Sequence, residues 1–235
     1  MSNVSAAVKL DFMTGRFYVN LAAALYVVGI VIGTVTKMPL FTVILVVVLT
    51  VFIAGGVFSV QEKNHGEKLY GTLPLRRRDM ILGRYLYGLI LGVVATVLAG
   101  LFGYLASLIS GADIGQLGPN RGSLSPDPTV SWVLFWAAVG FAFVYYCLSV
   151  GIAFPVYLRF GFSKSYVLTM LPLYLIVLGT LLVVRSLDLS VSLTDTIKFF
   201  SDNVYLLPLI GLAGGLVLLA ISLVVANGIY ARKEI

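Results

Sequence analysis

Charge is scarce in this chain of 235 residues: only 11% of positions carry Asp, Glu, Lys or Arg, against about a quarter in a soluble domain. Cysteine and histidine occur once each. A single cysteine rules out an internal disulfide, and a single histidine, His65, excludes any site built from several imidazoles. Cys147 stands inside the apolar run FAFVYYCLSV, where packing as a small hydrophobe accounts for it better than ligation or nucleophilic chemistry. No G-x-x-x-x-G-K-[ST] segment is present, so nucleotide binding through a phosphate loop is excluded. The long apolar runs hold no Asp, Glu, Lys or His at mid-length. Ion-coupled carriers place such groups at that depth, and intramembrane proteases need a metal cluster or a nucleophile with a base in reach.

What the chain has in quantity is hydrophobic residues, 60% of the total, with a mean hydropathy of +1.03. Several runs reach the roughly 20 residues that cross a bilayer, so this is an integral membrane protein. The expected fold is all-α, one transmembrane domain over residues 1–235 with six spans at about 17–36, 40–60, 80–110, 131–158, 166–184 and 205–230. A tight Lys37-Met38-Pro39 turn joins the first two. The first span has no convincing cleavage site after it and reads as a retained anchor. Before it, Ala6, Leu10, Met13 and Phe17 recur at helical spacing, as in a short helix lying in the interface and turning into the span. The third span, about 30 residues or roughly 45 Å, exceeds the about 30 Å of hydrocarbon. It must tilt or begin as a stalk outside it, with Arg84 reaching the headgroups.

Small-residue pairs four apart, Gly29 with Gly33, Gly88 with Gly92, and Gly211 with Gly215, mark faces where helices can approach closely. Pro155, Pro172 and Pro208 predict kinks in or at the ends of the later spans. Asn20 and Asn227 lie near span ends and suit solvation or helix linking. The outer segment 111–130 is rich in Gly, Pro and Ser and predicts an irregular loop. In 185–203, Ser192 or Thr194 is placed to cap a short helix.

The net charge of +6 would suit nucleic acid or acidic lipid, but its distribution has a topological explanation. One side holds twelve basic residues against five acidic, a balance of +7, and the other four against five, a balance of −1. The basic-rich side is expected in the cytoplasm. That puts both termini there, in a multi-pass protein of the cell membrane, and leaves no call for a nucleic-acid partner. Five of the sixteen basic residues, Lys63, Lys68, Arg76, Arg77 and Arg78, crowd into QEKNHGEKLYGTLPLRRRDM between spans two and three. Its exposed apolar residues Leu69, Tyr70 and Leu73 need a surface to cover them.

The order Glu62-Lys63, Glu67, Leu69-Tyr70, Thr72-Leu73-Pro74, Arg76-Arg77-Arg78-Asp79 and Arg84-Tyr85-Leu86 resembles the first cytoplasmic loop of ABC-2 type transporter permeases. The likeness is strongest over residues 60–90, with threonine where that family usually has serine before Leu-Pro. It implies a cytoplasmic coupling segment between helices 2 and 3, seated on a cassette ATPase subunit, and an elbow-like N-terminal helix. Glu62, Lys63, Glu67, Leu69, Tyr70, Leu73, Pro74, Arg76, Arg77 and Arg78 would couple to the ATPase, and Asp79, Arg84 and Tyr85 would begin a stalk into helix 3. For the three arginines, contact with lipid headgroups remains an equal alternative. The resemblance further implies half of an exporter's pathway for a hydrophobic or amphipathic substrate (a lipid, peptide or antibiotic), completed by a second permease chain and surrounded by membrane lipids. ATP and its magnesium would sit on the partner ATPase chains, with no cofactor on this one. A non-transporting membrane scaffold or sensor subunit is the competing expectation. A membrane-embedded enzyme has little support, because no convergent polar set appears.

Overall fold

The computed structural model describes residues 3–64, 77–114, 128–169 and 206–231. Six helices are described: α1 (Asn3–Val35), α2 (Pro39–Lys63), α3 (Arg77–Ser110), α4 (Pro128–Phe160), α5 (Phe162–Thr169) and α6 (Leu206–Ala231). All but α5 are long and apolar enough to cross a membrane. The expected fifth span, 166–184, lies outside the described residues beyond Thr169. So do the loop residues 115–127, the outer segment 185–203 and Pro172.

Around a buried cluster that includes Val43, Val46, Val47, Phe143, Tyr146 and Phe154, the helices approach closely at small residues, as expected where lipid tails compete equally for apolar side chains. The three glycine pairs are all helix contacts. A Cβ on Gly29 would touch Leu45, and one on Gly33 would run into Thr42 of α2. On α3, Gly88 lies under Phe154 and Gly92 under Tyr146, both from α4. On α6, Gly215 accommodates Phe143 and Cys147, and Gly211 lies so near α4 that a Cβ would be 2.7 Å from the Gly140 carbonyl oxygen.

Hydroxyls stitch the same seams. The Tyr146 hydroxyl donates to the Gly88 carbonyl at 2.6 Å. Ser222 of α6 donates to the Gly151 carbonyl at 2.6 Å and is 2.6 Å from the Tyr85 hydroxyl. With its own proton committed, Ser222 must accept from Tyr85. Tyr26 donates to Thr50 at 2.5 Å by the same reasoning, since Thr50 donates to the Val46 carbonyl.

The turn between α1 and α2 forms as the sequence suggests. Lys37 takes the left-handed conformation at φ 55°. Its amide bonds the Thr34 carbonyl, and the Met38 amide bonds the Gly33 carbonyl, the paired bonds that close a helix end. Pro39 then opens α2, where its missing N–H is not needed.

Two expectations are revised, on the N-terminal helix and on Pro208. Residues 6–17 do not form a separate interfacial helix; they are the first turns of one unbroken α1. Their apolar face, with Met13 and Phe17, is exposed. Pro155 lies inside α4, which runs on to Phe160, so it does not end the helix. Pro208 falls in the first turn of α6, where proline needs no kink.

Candidate functional site at the basic end of the bundle

The segment singled out by its motif joins α2 to α3. Its centre, residues 65–76, with Glu67, Leu69, Tyr70, Leu73, Pro74 and Arg76, lies outside the described residues. What is described is how both ends are anchored.

α2 ends at Lys63, and the Asn64 amide returns to the Val60 carbonyl at 3.0 Å. Lys63 is exposed, whereas Glu62 is engaged within the chain. Its carboxylate accepts the Ser163 amide at 2.9 Å and the Ser163 hydroxyl at 2.6 Å. Ser163 is in the first turn of α5, so an anionic group occupies the positive end of that helix. The chain reaches α5 through Gly161, whose φ of +83° is readily open only to glycine. Glu62 thus binds the exit of α2 to the connection between α4 and α5. Replacing Glu62 with Ala should raise amide exchange at Ser163 about fivefold, the roughly 1 kcal/mol of a lost cap. Glu62→Gln, which keeps an acceptor, should change it less; hydrogen exchange read by mass spectrometry checks both.

α3 starts at Arg77, so Asp79 is inside its first turn. Its carboxylate still faces the favourable end of the helix dipole. Arg78 is exposed and Asp79 half-buried. Arg84 does not reach outward to headgroups as expected. Its Nη2 donates to the Gln61 Oε1, and its guanidinium lies 4.8 Å from the centre of the Phe58 ring. Gln61 in turn donates from Nε2 toward Asp11 Oδ1 at 3.4 Å. Asp11, on α1, is only 3% exposed. A carboxylate removed from water at a cost of several kcal/mol is therefore linked through an amide to a cation, and three helices meet there.

From Phe58 the contacts continue as aromatic packing. Its ring lies 5.0 Å from Phe154 and 5.2 Å from Tyr157, and Tyr157 lies 5.0 Å from Phe162 of α5. Tyr85 is buried, with its ring 5.4 Å from Phe154 and its hydroxyl on Ser222. The stalk residues Arg84 and Tyr85 thus tie the start of α3 to α2, α4 and α6.

Asp11, Gln61, Phe58 and Ser163 were not singled out from sequence. A signal for Asp11 exists: Ala7, Asp11, Gly15, Tyr18, Ala22, Tyr26, Gly29 and Gly33 recur every three or four residues and form the packed face of α1. Opposite Ala7, α3 presents Gly83, where a Cβ would be 2.6 Å from that of Ala7. Among the described residues no three His, Cys, Asp or Glu side chains gather as metal ligands.

Among the described residues, these contacts join the two helices bordering residues 65–76 to α1, α4, α5 and α6. No curated protein matches the chain. Residues 8–231, nearly the whole length, match the family described as ABC-2 family transporter protein. The chain belongs to that family, as a membrane-spanning transporter permease subunit.

Proposed function

We propose that this permease is driven by ATP hydrolysis on separate cassette ATPase chains. In this reading it forms half of an export pathway for a hydrophobic or amphipathic substrate, a second permease chain supplies the other half, and lipid surrounds both. It resides in the cell membrane with both termini and the 65–76 segment in the cytoplasm, in accord with the bias of basic residues. ATP and magnesium belong to the partner chains.

The observation that carries the reading is the bracing at the basic end. An ATPase gripping residues 65–76 would displace the end of α2 and the start of α3. Through Glu62 the displacement reaches α5; through Gln61 and Arg84 it reaches α1; through Phe58 and Tyr85 it reaches α4 and α6. In that role Leu69, Tyr70 and Leu73 give the ATPase groove an apolar anchor. Glu67, Lys63 and Arg76 to Arg78 set its orientation by charge, and Pro74 ends the segment's own helical stretch.

The test replaces Leu69, Tyr70 and Leu73 together with Ala in the assembled transporter. Association with the ATPase should weaken at least about tenfold, the loss of one or more anchor residues, and export should fall with it, while the permease still inserts into the membrane. Undiminished export and ATPase binding would refute the coupling role.

A further inference from the structure

At the end of the bundle away from Arg84 and Glu62, α3, α4 and α6 enclose an apolar groove of about 550 Å³. Along α3 it runs from Val93 to Tyr104. Eleven helical steps of 1.5 Å make about 16 Å, close to half of the about 30 Å hydrocarbon layer. The groove is therefore as long as one leaflet is deep. Its volume is in the range of sites for small apolar ligands, about 300–1,000 Å³.

The lining has almost nothing to offer a polar guest. The Thr96 hydroxyl is committed to the Gly92 carbonyl at 2.8 Å, and the other wall residues of α3 between Val93 and Leu101 are apolar. A ligand with polar groups along its length would leave them unpaired, at a cost of about 1–3 kcal/mol each. On its α3 side the groove opens beside Val97 and Leu101, both at least half exposed. At its far mouth the rings of Tyr104 and Trp132 pair at 6.1 Å. Such aromatic groups settle at headgroup level, with an apolar body and a polar tip. Glycine shapes the walls: a Cβ on Gly100 would meet only Val139, at 3.7 Å.

We infer that this groove holds one acyl chain of a membrane phospholipid, lying along α3 with its headgroup beside Tyr104 and Trp132. The leaflet is the one at the end poor in basic residues, the outer leaflet in the orientation proposed above; the inference takes only that orientation from the functional reading. α1 contributes nothing to the lining, and the site is separate from the braced basic end. The bound chain is a resident of the bundle, filling a concavity that protein side chains leave open.

Both tryptophans of the chain, Trp132 and Trp136, line the groove, so intrinsic fluorescence reports its contents. Trp132→Phe leaves Trp136, the less exposed of the two, as sole reporter. In vesicles of phosphatidylcholine brominated at mid-chain, Trp136 emission should fall at least twofold relative to unbrominated vesicles. Gly100→Phe, which directs a ring into the groove, should at least halve that quenching; Gly100→Val provides the same test at smaller volume should the larger ring prevent folding. Two results overturn the inference. Trp136 untouched by brominated chains means that protein, such as residues 170–205, fills the groove. Quenching unaltered by either Gly100 variant means contact with bulk lipid at the rim alone. Neither result bears on ATPase coupling, and lost export in the loop variant does not bear on the groove.

Discussion

Gly211→Leu is expected to prevent the chain from accumulating as a folded protein, while Gly214→Leu, three residues along the same helix, leaves it intact. At position 211 a Cβ would be 2.7 Å from the Gly140 carbonyl oxygen and 3.0 Å from two further backbone atoms. Backbone cannot rotate out of the way as a side chain can, so α6 would have to separate from α4 along their shared seam. Separation would draw Gly215 off Phe143 and Cys147 and stretch the Ser222 bond to Gly151. Overpacking a close contact costs about 3 kcal/mol in severe cases, and here the loss of neighbouring contacts adds to it. At position 214 a Cβ meets nothing within 4 Å, and leucine there faces the surroundings of the bundle. The yield of monodisperse protein in detergent, and its melting on heating, distinguishes the two. Equal behaviour of both variants would contradict the packing of α6 on α4.

Arg84→Leu should destabilise the bundle by about 3 kcal/mol, the usual cost of removing one member of a buried charged set. The variant deprives Gln61 of its donor and leaves Asp11, almost wholly buried, without its nearby cation. Adding Asp11→Asn should recover a large part of the loss, because the amide needs no counter-charge. The recovery is a coupling energy, measured by a double-mutant cycle on thermal unfolding. An arginine that merely reached the headgroups would give additive, near-neutral effects, and that pattern would refute the buried linkage.

Five of the six expected spans were legible in the sequence, because hydropathy over about 20 residues reflects one strong constraint, the absence of water in the bilayer. The glycine pairs were legible as well, since spacing by four maps directly onto one helix face. The packed face of α1 was not. Met13 and Phe17 were read as the apolar face of an interfacial helix, which left open which side of α1 packs on protein. In a membrane the apolar stripe faces lipid, and small or polar residues such as Ala7, Asp11 and Gly15 face the protein. Arg84 was misassigned for the same reason: a cation near a helix start has lipid headgroups as an obvious partner. Its protein partners, Gln61 and Phe58, lie more than twenty positions away with no local pattern linking them. Glu62 matched the loop motif, but its pairing with Ser163 spans 101 positions and depends on where α5 docks. Leu69, Tyr70 and Leu73 are different again, because the role proposed for them depends on another chain.

The enclosure of Cys147 has a practical consequence. Its thiol lies buried where α4 meets the glycine face of α6, out of reach of maleimides or spin labels delivered from water. Toward such reagents the native sequence behaves as though it had no sulfhydryl. Reporter cysteines placed on the exposed ends of α2 and α3 would then be the sole labelled positions, and distances across the proposed drive point can be followed without altering the natural residue.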